Sequence, residues 1–250
     1  MSRQHFSVSL VSRVDASRRI DFGDGGWYVR MVEGWDDLPD RKGSPQPLAL
    51  THGSSSLDNT RRASASGSLV VRFRGSAEAV AEENAKLLAL CAEPLQLWVT
   101  DHDGVARGRD VVVESIPVRN RHLPDTMVTA SITWTAADPR RYERVKQLTA
   151  GKPMTNTGTA PTSPLLRVEG PAKAPVTVTE RPTGRVVSWA GSLGTGQTLT
   201  IDPAAGVALL DGKVTMGLRS MQWPVVPPGQ DRLYVSSGGK LSGEFRSAWW

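Results

Sequence analysis

Cysteine is almost absent from this sequence, which has a single one, Cys91, among 250 residues. An internal disulfide is therefore impossible, and this fits a protein made in a reducing cytoplasm. Long apolar runs are missing too, since no stretch approaches the roughly 20 residues that a membrane helix needs. Residues 1–15 also lack the apolar segment of a signal peptide. We therefore expect a soluble protein with no membrane association and no cleaved export signal.

Clustered charge is also lacking. The chain has 30 Lys and Arg against 25 Asp and Glu, a formal net charge of +5, with a pI near 9.6. Its basic pairs, such as Arg18-Arg19 and Arg140-Arg141, are scattered instead of forming one block. A protein that follows a nucleic-acid backbone needs clustered basic residues. The basic excess therefore indicates ordinary surface charge rather than nucleic-acid binding.

Motifs for nucleotide or metal binding are incomplete. The segment Gly191–Thr198 has the spacing of a phosphate-binding loop, but Gln197 replaces the essential lysine and a strand pattern follows. Asp101 and Asp103 resemble the start of a calcium loop that lacks its third acid, its glycine and its closing glutamate. No two histidines have metal-ligand spacing; the four are His5, His52, His102 and His122. We predict no metal and no cofactor.

Catalytic signatures are missing as well. The sequence contains no GxSxG elbow, so a serine hydrolase has no local support. Two distant carboxylates could still meet in the fold, but no pattern points to such a pair. No motif has flanking structure that suits it, and we therefore predict that the protein is not an enzyme.

What the sequence does contain is strand alternation. In Val128–Trp134, apolar residues alternate with hydroxyl residues, and this period of two places them on opposite faces of a sheet. Asp138-Pro139 then ends the pairing, because proline has no amide hydrogen and keeps the preceding residue out of the helical region. Residues 6–10, 27–35, 69–73 and 95–100 have similar strand character.

One helix is predicted, at about residues 76–92. Ser76 is a suitable N-cap, and Pro94 follows the end of the segment. Its apolar residues recur at i, i+7, i+8 and i+11, which indicates one buried stripe; they are Val80, Leu87, Leu88 and Cys91. Cys91 therefore looks like a small core residue, not a nucleophile.

A long arm is predicted at about residues 36–62, where three prolines interrupt any regular period. Loops of this length in compact domains are usually functional or disordered. The apolar residues near and within the arm suggest contact with another subunit, and packing inside the same subunit is the alternative. The candidate subunit-interface residues are Trp35, Leu48, Leu50 and Leu57.

Two domains are predicted. Residues 1–148 form the first, and residues 149–163 form a linker because Gly, Pro, Thr and Ser dominate them. Residues 164–250 form the second, in which short strand candidates alternate with Gly, Pro and Asp turns, as in a β-sandwich.

Four segments, in this order, resemble the distal tail proteins of long, flexible-tailed bacteriophages (siphoviruses). They are ITWTAADPRRY at 132–142, NTGTAPTSPLLRVEG at 156–170, TIDPAAGVALLDG at 200–212 and WPVVPPGQDRLYV at 223–235. Each one is short, and together they lie mainly within residues 128–236. The order of the segments and the sizes of the domains carry the resemblance.

The resemblance implies a mainly β protein. Its first domain would be a tail-tube-like β-sandwich or split barrel with one α-helix, and its second a galectin-like β-sandwich. Family members form a hexameric ring that joins the tail tube to the tail-tip or baseplate hub, with DNA passing through the lumen. The expected partners are therefore other copies of the chain, the tail tube protein, the tail-tip hub protein and the tape measure protein. The expected location is the virion tail tip, after assembly in the host cytoplasm.

Two other functions stay open at this point. The second domain could be a carbohydrate-binding module for host recognition, with Trp189 or Trp223 stacking on a sugar; the alternative is that both are core aromatics. A cell-wall enzyme is the third hypothesis, and only a location at the tail tip argues for it.

Overall fold

The computed structural model describes residues 6–23, 26–43, 61–116, 118–119, 126–148, 151–181 and 183–250. The chain divides into two compact units. The first consists of Met1–Arg141 together with Trp250, and the second of Tyr142–Trp249. Each unit has a hydrophobic core of its own.

The first unit contains eight complete strands and one helix within its described residues. They are β1 (Ser7–Ser12), β2 (Arg19–Phe22), β3 (Trp27–Glu33), β4 (Ala65–Arg74), α1 (Ala77–Cys91), β5 (Leu95–Thr100), β6 (Ala106–Ser115), β7 (Val118–Arg119) and β8 (Met127–Ala136). The short strand β9 (Arg141–Tyr142) contains the point at which the two units divide.

The sheet of the first unit has the strand order β2-β1-β5-β6-β8-β4-β3, and β7 lies beside β8. Its first and last strands, β2 and β3, follow each other in the chain. They meet at a turn in which Gly23 donates its N–H to the Trp27 carbonyl at 2.9 Å. The sheet therefore curls back on itself, as a split barrel does. Strict alternation along β8 directs every second side chain, from Val128 to Ala136, into the core.

The helix α1 covers this core. Ser76 caps it, because its Oγ accepts the Ala79 N–H at 3.2 Å. Its buried side chains are Val80, Leu87, Leu90 and Cys91. The prediction that Leu88 is buried was wrong. Successive residues are turned by about 100° around a helix, so Leu88 points well away from its buried neighbour Leu87 and faces solvent. Burial raises the pKa of the Cys91 thiol to about 12, which suits a core residue.

The second unit is built from strands alone within its described residues. They are β10 (Lys146–Leu148), β11 (Met154–Thr155), β12 (Leu165–Glu169), β13 (Val176–Arg181), β14 (Val186–Trp189), β15 (Thr198–Asp202), β16 (Val207–Leu210), β17 (Lys213–Val214), β18 (Leu218–Met221), β19 (Asp231–Ser236), β20 (Lys240–Phe245) and β21 (Ala248–Trp249). One sheet has the order β10-β20-β12-β15-β16-β17, and a second has the order β11-β19-β13-β14-β18.

The segment predicted as a linker, 149–163, differs in the structure. Its described residues belong to the second unit, where Met154, Ala160 and Thr162 are buried. Strand β10, placed by prediction in the first domain, pairs with β20 of the second unit. Composition was misleading here because small and hydroxyl residues suit a flexible linker and a tightly packed strand edge equally well.

The prediction of a mainly β protein with one helix is confirmed for the part of the chain that the structure describes. A galectin-like second domain stays a prediction. None of the described helical residues forms a segment long and apolar enough to cross a membrane.

Candidate assembly surfaces

A hydroxyl-rich face covers the first unit's sheet on the side opposite its core. Strands β4 and β8 pair in antiparallel register, with Ser66 beside Thr135 and Ser68 beside Thr133. The alternate residues of the same strands point into the core. The hydroxyl face therefore follows directly from the period of two in both strands.

Three charged groups on the hydroxyl face bond to its hydroxyl groups. Ser68 Oγ donates to Glu33 Oε2 at 2.7 Å, and Thr135 Oγ1 donates to Glu114 Oε1 at 2.5 Å. Arg72 Nε donates to a hydroxyl as well, at 3.2 Å. Arg72 and Arg74 of β4 and the acids Glu33 and Glu114 give this face mixed charge without a basic cluster among the described residues, so a polyanion has little to bind.

The base of the arm is fixed within the first unit. Lys42 donates its N–H to the Arg61 carbonyl at 3.0 Å, and Ala63 donates its N–H to the Asp40 carbonyl at 2.9 Å. These bonds form a short antiparallel bridge between the two ends of the segment 44–60, which lies outside the described residues. The arm therefore begins and ends at one point on the unit.

A stack of guanidinium and indole groups lies beside the arm base. The Arg109 Cζ is 5.1 Å from the centroid of the Trp35 ring and 5.4 Å from that of Trp134. The Arg141 Cζ is 5.8 Å from the centroid of Trp35. Trp35 thus contacts two guanidinium groups, in a geometry that allows cation–π attraction. We call these four residues the Arg–Trp stack.

Burial makes the Arg–Trp stack electrostatically costly. Arg109 is only 1% exposed, and its guanidinium bonds, each 3.4 Å long, go to the Gly34 and Trp35 carbonyls. Burial, and then the charge of Arg141, lower the pKa of Arg109 to about 10. The cation is therefore disfavoured more in the folded than in the unfolded chain. This penalty on stability is present at neutral pH and decreases as pH rises past about 10.

Arg141 ties the stack to the arm. Its guanidinium donates to Asp36 Oδ1 and to the Trp250 carbonyl oxygen. The Arg62 Cζ, at the other end of the arm, is 5.8 Å from the centroid of the Trp250 ring. Both ends of the arm are thus held by the first unit, one through Arg141 and one through the Trp250 ring.

The predicted interface residues have different outcomes. Trp35 is 3% exposed and belongs to the core of the first unit, so its indole has no surface to offer a second subunit. Leu48, Leu50 and Leu57 lie outside the described residues. Sequence reasoning did not identify Arg109, although alternation with Val111 along β6 already places it on the inward side.

A buried asparagine organises the first residues of the second unit. Asn156 is 0% exposed and its amide group makes four hydrogen bonds. Nδ2 donates to the carbonyls of Ala160 at 2.8 Å and Val226 at 3.0 Å. Oδ1 accepts the N–H groups of Gly158 at 3.0 Å and Ala248 at 3.3 Å. All the hydrogen-bonding capacity of the amide is therefore used, and it joins three separate segments.

The tryptophans considered for sugar stacking pack inward. Trp189 is buried, and its Nε1 donates to the Met216 carbonyl at 3.0 Å. Trp223 is half-buried and packs against the core of the second unit. Both indoles thus contribute to packing in the second unit, and this burial does not favour the sugar-binding alternative.

The incomplete motifs are turns. Asp101 and Asp103 lie between β5 and β6, where both carboxylates pair with Arg107, at 2.9 and 2.5 Å. The hydrogen bond from Arg107 lowers the pKa of Asp103. The side chain of Gln197 accepts the Gly194 N–H at 2.8 Å, and β15 follows directly. No group of three His, Cys, Asp or Glu residues among those described could hold a metal ion.

Comparison with known proteins agrees with these observations. Residues 157–249 match the family described as the siphovirus-type tail component, C-terminal domain (SPP1_Dit). The match covers most of the second unit. No curated protein matches the chain.

Solved structures match nearly the whole chain. One is the SPP1 Dit (gp 19.1) protein, described as a paradigm of the hub adsorption apparatus in Gram-positive infecting phages; the identity is 12%, the TM-score 0.69, and the match covers 97% of this chain and 99% of that one. Another is the phage P2 baseplate in its activated conformation with Ca, at 8% identity and a TM-score of 0.55, covering 97% and 98% of the two chains.

The same baseplate with Sr matches at 8% identity and a TM-score of 0.54, again covering 97% of this chain and 98% of that one. At such identities these likenesses establish the fold. With the family match, they confirm the predicted resemblance to siphovirus distal tail proteins.

Proposed function

We propose that this chain, whose residues 157–249 match the siphovirus-type tail component family, is a distal tail protein. It forms a hexameric ring that joins the tail tube to the tail-tip hub and lets DNA pass through its lumen. The observation that carries this proposal is the agreement in fold with the SPP1 Dit hub protein over almost the full length of both chains. Its role is structural, as the family match suggests.

A ring of identical subunits needs two different, complementary faces on each copy. The arm supplies part of one face, through Leu48, Leu50 and Leu57. The anchoring of its base supports this role, because a segment fixed at both ends loses less conformational entropy when its middle contacts a neighbour. Trp35 takes no part in this face, since it is buried in its own unit.

The hydroxyl face of the first unit lines the lumen in this proposal. Double-stranded DNA binds where Lys and Arg are clustered, and a conduit must avoid such binding. The acids Glu33 and Glu114 offset Arg72 and Arg74 on this face, and the surrounding Ser and Thr residues are neutral, which supports such a role.

The partners follow from the position in the tail. The ring contacts the tail tube on one side and the tail-tip hub on the other, and it meets the tape measure protein during assembly. Assembly takes place in the host cytoplasm, and the mature protein lies at the virion tail tip.

Electron microscopy of the purified protein tests the ring directly. We expect six-fold rings, and we expect mass spectrometry to detect the chain in purified virion tails. A protein that stays monomeric at high concentration and is missing from virions would contradict the proposal.

The contribution of the arm can be tested by substitution. We expect Leu48→Asp, Leu50→Asp and Leu57→Asp, combined, to abolish ring formation, because the carboxylates cannot enter an apolar contact. The midpoint of thermal unfolding of the monomer should change by less than about 2 °C, since in this proposal the three leucines serve the contact with a neighbouring subunit. Size-exclusion chromatography with light scattering measures the assembly.

The matched control is Leu88→Asp, an exposed position on α1 that lies away from the arm in the chain. This variant should form rings normally. Normal rings in the triple variant would remove the arm from the interface and leave the proposed function standing.

A further inference from the structure

The most exposed apolar side chains of the second unit are concentrated in nine residues. Met216 is 88% exposed, Val214 is 69% exposed and Met221 is 60% exposed. All three belong to β17, to β18 or to the connection between them. We call these three residues the apolar corner. Single exposed apolar residues are common, but three strongly exposed ones within residues 214–221 favour an interaction surface.

The apolar corner lies where two sheet edges are open. Strand β17 is the last strand of one sheet and β18 is the last strand of the other, within the described residues. The chain crosses from the first sheet to the second in three residues, Thr215–Gly217. Backbone N–H and C=O groups on the outer side of both strands are therefore available to a partner as well.

The connection is rigidly held. The Met216 carbonyl accepts the Trp189 Nε1 at 3.0 Å, and Ala190 donates its N–H to the Gly217 carbonyl at 2.9 Å. Thr215 donates its N–H to the Ala208 carbonyl, also at 2.9 Å. The exposure of Met216 is thus imposed by its fixed backbone. A pre-ordered apolar surface loses little entropy on binding, which favours its use as a contact.

The charge around the apolar corner is basic. Lys213 and Arg219 are exposed and lie within the same nine residues, and Arg185 precedes β14, the strand that pairs with β18. None of the three forms an ion pair with the described residues. The nearest acid in sequence, Asp211, accepts the Thr198 N–H through Oδ1 at 2.8 Å. The surface therefore has a basic rim and an apolar centre.

We infer that the apolar corner docks a different tail protein, one that presents an apolar patch with an acidic rim. Methionine and arginine are enriched in protein interfaces, and methionine adapts to the shape of its partner. A two-fold contact with a second copy of this chain is unfavourable, because it would bring Lys213 and Arg219 against the same residues of the copy. The inference goes beyond the proposed ring. It rests on the proposed function only because the test uses virion tails that contain the chain.

Methionine oxidation in intact tails is the direct test. With dilute hydrogen peroxide and peptide mass spectrometry, Met216 and Met221 should oxidise rapidly in the purified chain and about tenfold more slowly in intact virion tails, because a docked partner excludes the oxidant. Met154, which is buried, serves as the control and should react slowly in both.

Each of the other possible results would contradict the inference, and each identifies a different reason. Equal reactivity of Met216 in tails and in the purified chain would show that no partner covers the corner. Protection already present in the purified chain would identify a second copy as the occupant. Absence of the chain from tails would overturn the proposed function and this inference together.

Charge reversal provides a second, independent test. We expect Lys213→Glu with Arg219→Glu to reduce incorporation into tails at least tenfold, since the new acids repel an acidic rim. The control, Lys152→Glu with Lys173→Glu, makes the same change in net charge at two other exposed positions of the unit and should be incorporated normally. Met216→Gln, which keeps the side-chain length, should also reduce incorporation. Equal incorporation of both double variants, each with unchanged thermal unfolding, would contradict the inference.

Discussion

Replacing Trp35 by alanine is expected to lower the free energy of unfolding of the first unit by about 3–5 kcal/mol, the usual cost of truncating a buried tryptophan. The indole is 3% exposed, and its ring centroid is 5.1 Å from the Arg109 Cζ and 5.8 Å from the Arg141 Cζ. Its removal leaves a cavity and takes away the aromatic faces that stabilise two cations. Urea denaturation followed by circular dichroism measures the change.

Trp35→Phe is the matched control for this substitution. The Trp35 Nε1 has no hydrogen-bond partner among the described residues, so phenylalanine loses no hydrogen bond and keeps an aromatic face. We expect a loss of less than about 1.5 kcal/mol. If Trp35→Ala left stability unchanged and impaired ring formation instead, the indole would belong to the subunit interface, contrary to its position in the structure.

Replacing Asn156 by alanine is expected to destabilise the second unit by about 3–5 kcal/mol. The change leaves the buried N–H groups of Gly158 and Ala248 and the buried Ala160 carbonyl without their partners, and each such group costs about 1–3 kcal/mol, partly relieved by water. The Val226 carbonyl keeps its bond from the Thr162 N–H. The four bonds join residues near 156, Val226 and Ala248, so their loss separates segments that are distant in sequence. Thermal unfolding of the full chain, monitored by calorimetry, measures the effect.

Thr155→Ala gives a control at the neighbouring position. Thr155 is exposed and its hydroxyl bonds only to Asp231, also exposed, so we expect a change within about 0.5 kcal/mol. Equal effects at 155 and 156 would mean that the segment behaves as a linker, as its composition alone indicates. A large effect at Asn156 alone would establish it as part of the second unit's core.

The Arg–Trp stack has a further consequence for the proposed arm. It lies where the arm leaves the first unit, and Arg141 joins it to Asp36 and to the Trp250 carbonyl. A buried ion cluster is a poor source of net stability, because desolvation opposes the attraction between its charges. The ion cluster instead fixes the position of the arm base, because one guanidinium bonds to two segments and leaves the base few alternative positions.

The sequence by itself determined the helix and several of the longer strands of this protein. Alternation in Val128–Trp134 placed hydroxyl groups on one face and apolar groups on the other, and Ser76 marked the start of α1. These features depend on the period of apolar side chains and on helix caps, and both are set by residues that are close together in the sequence. Four short segments were also enough to indicate the family.

Only the tertiary structure decided which residues hold these elements together. Arg109 meets Trp35 across 74 positions of sequence, and Asn156 meets Ala248 across 92. The burial of Arg109 and the four hydrogen bonds of Asn156 depend on which distant segments become neighbours in the fold. Local periodicity in the sequence does not contain that information. For the same reason, a stretch with the composition of a linker became part of a packed unit, and a tryptophan expected at an interface became part of a core.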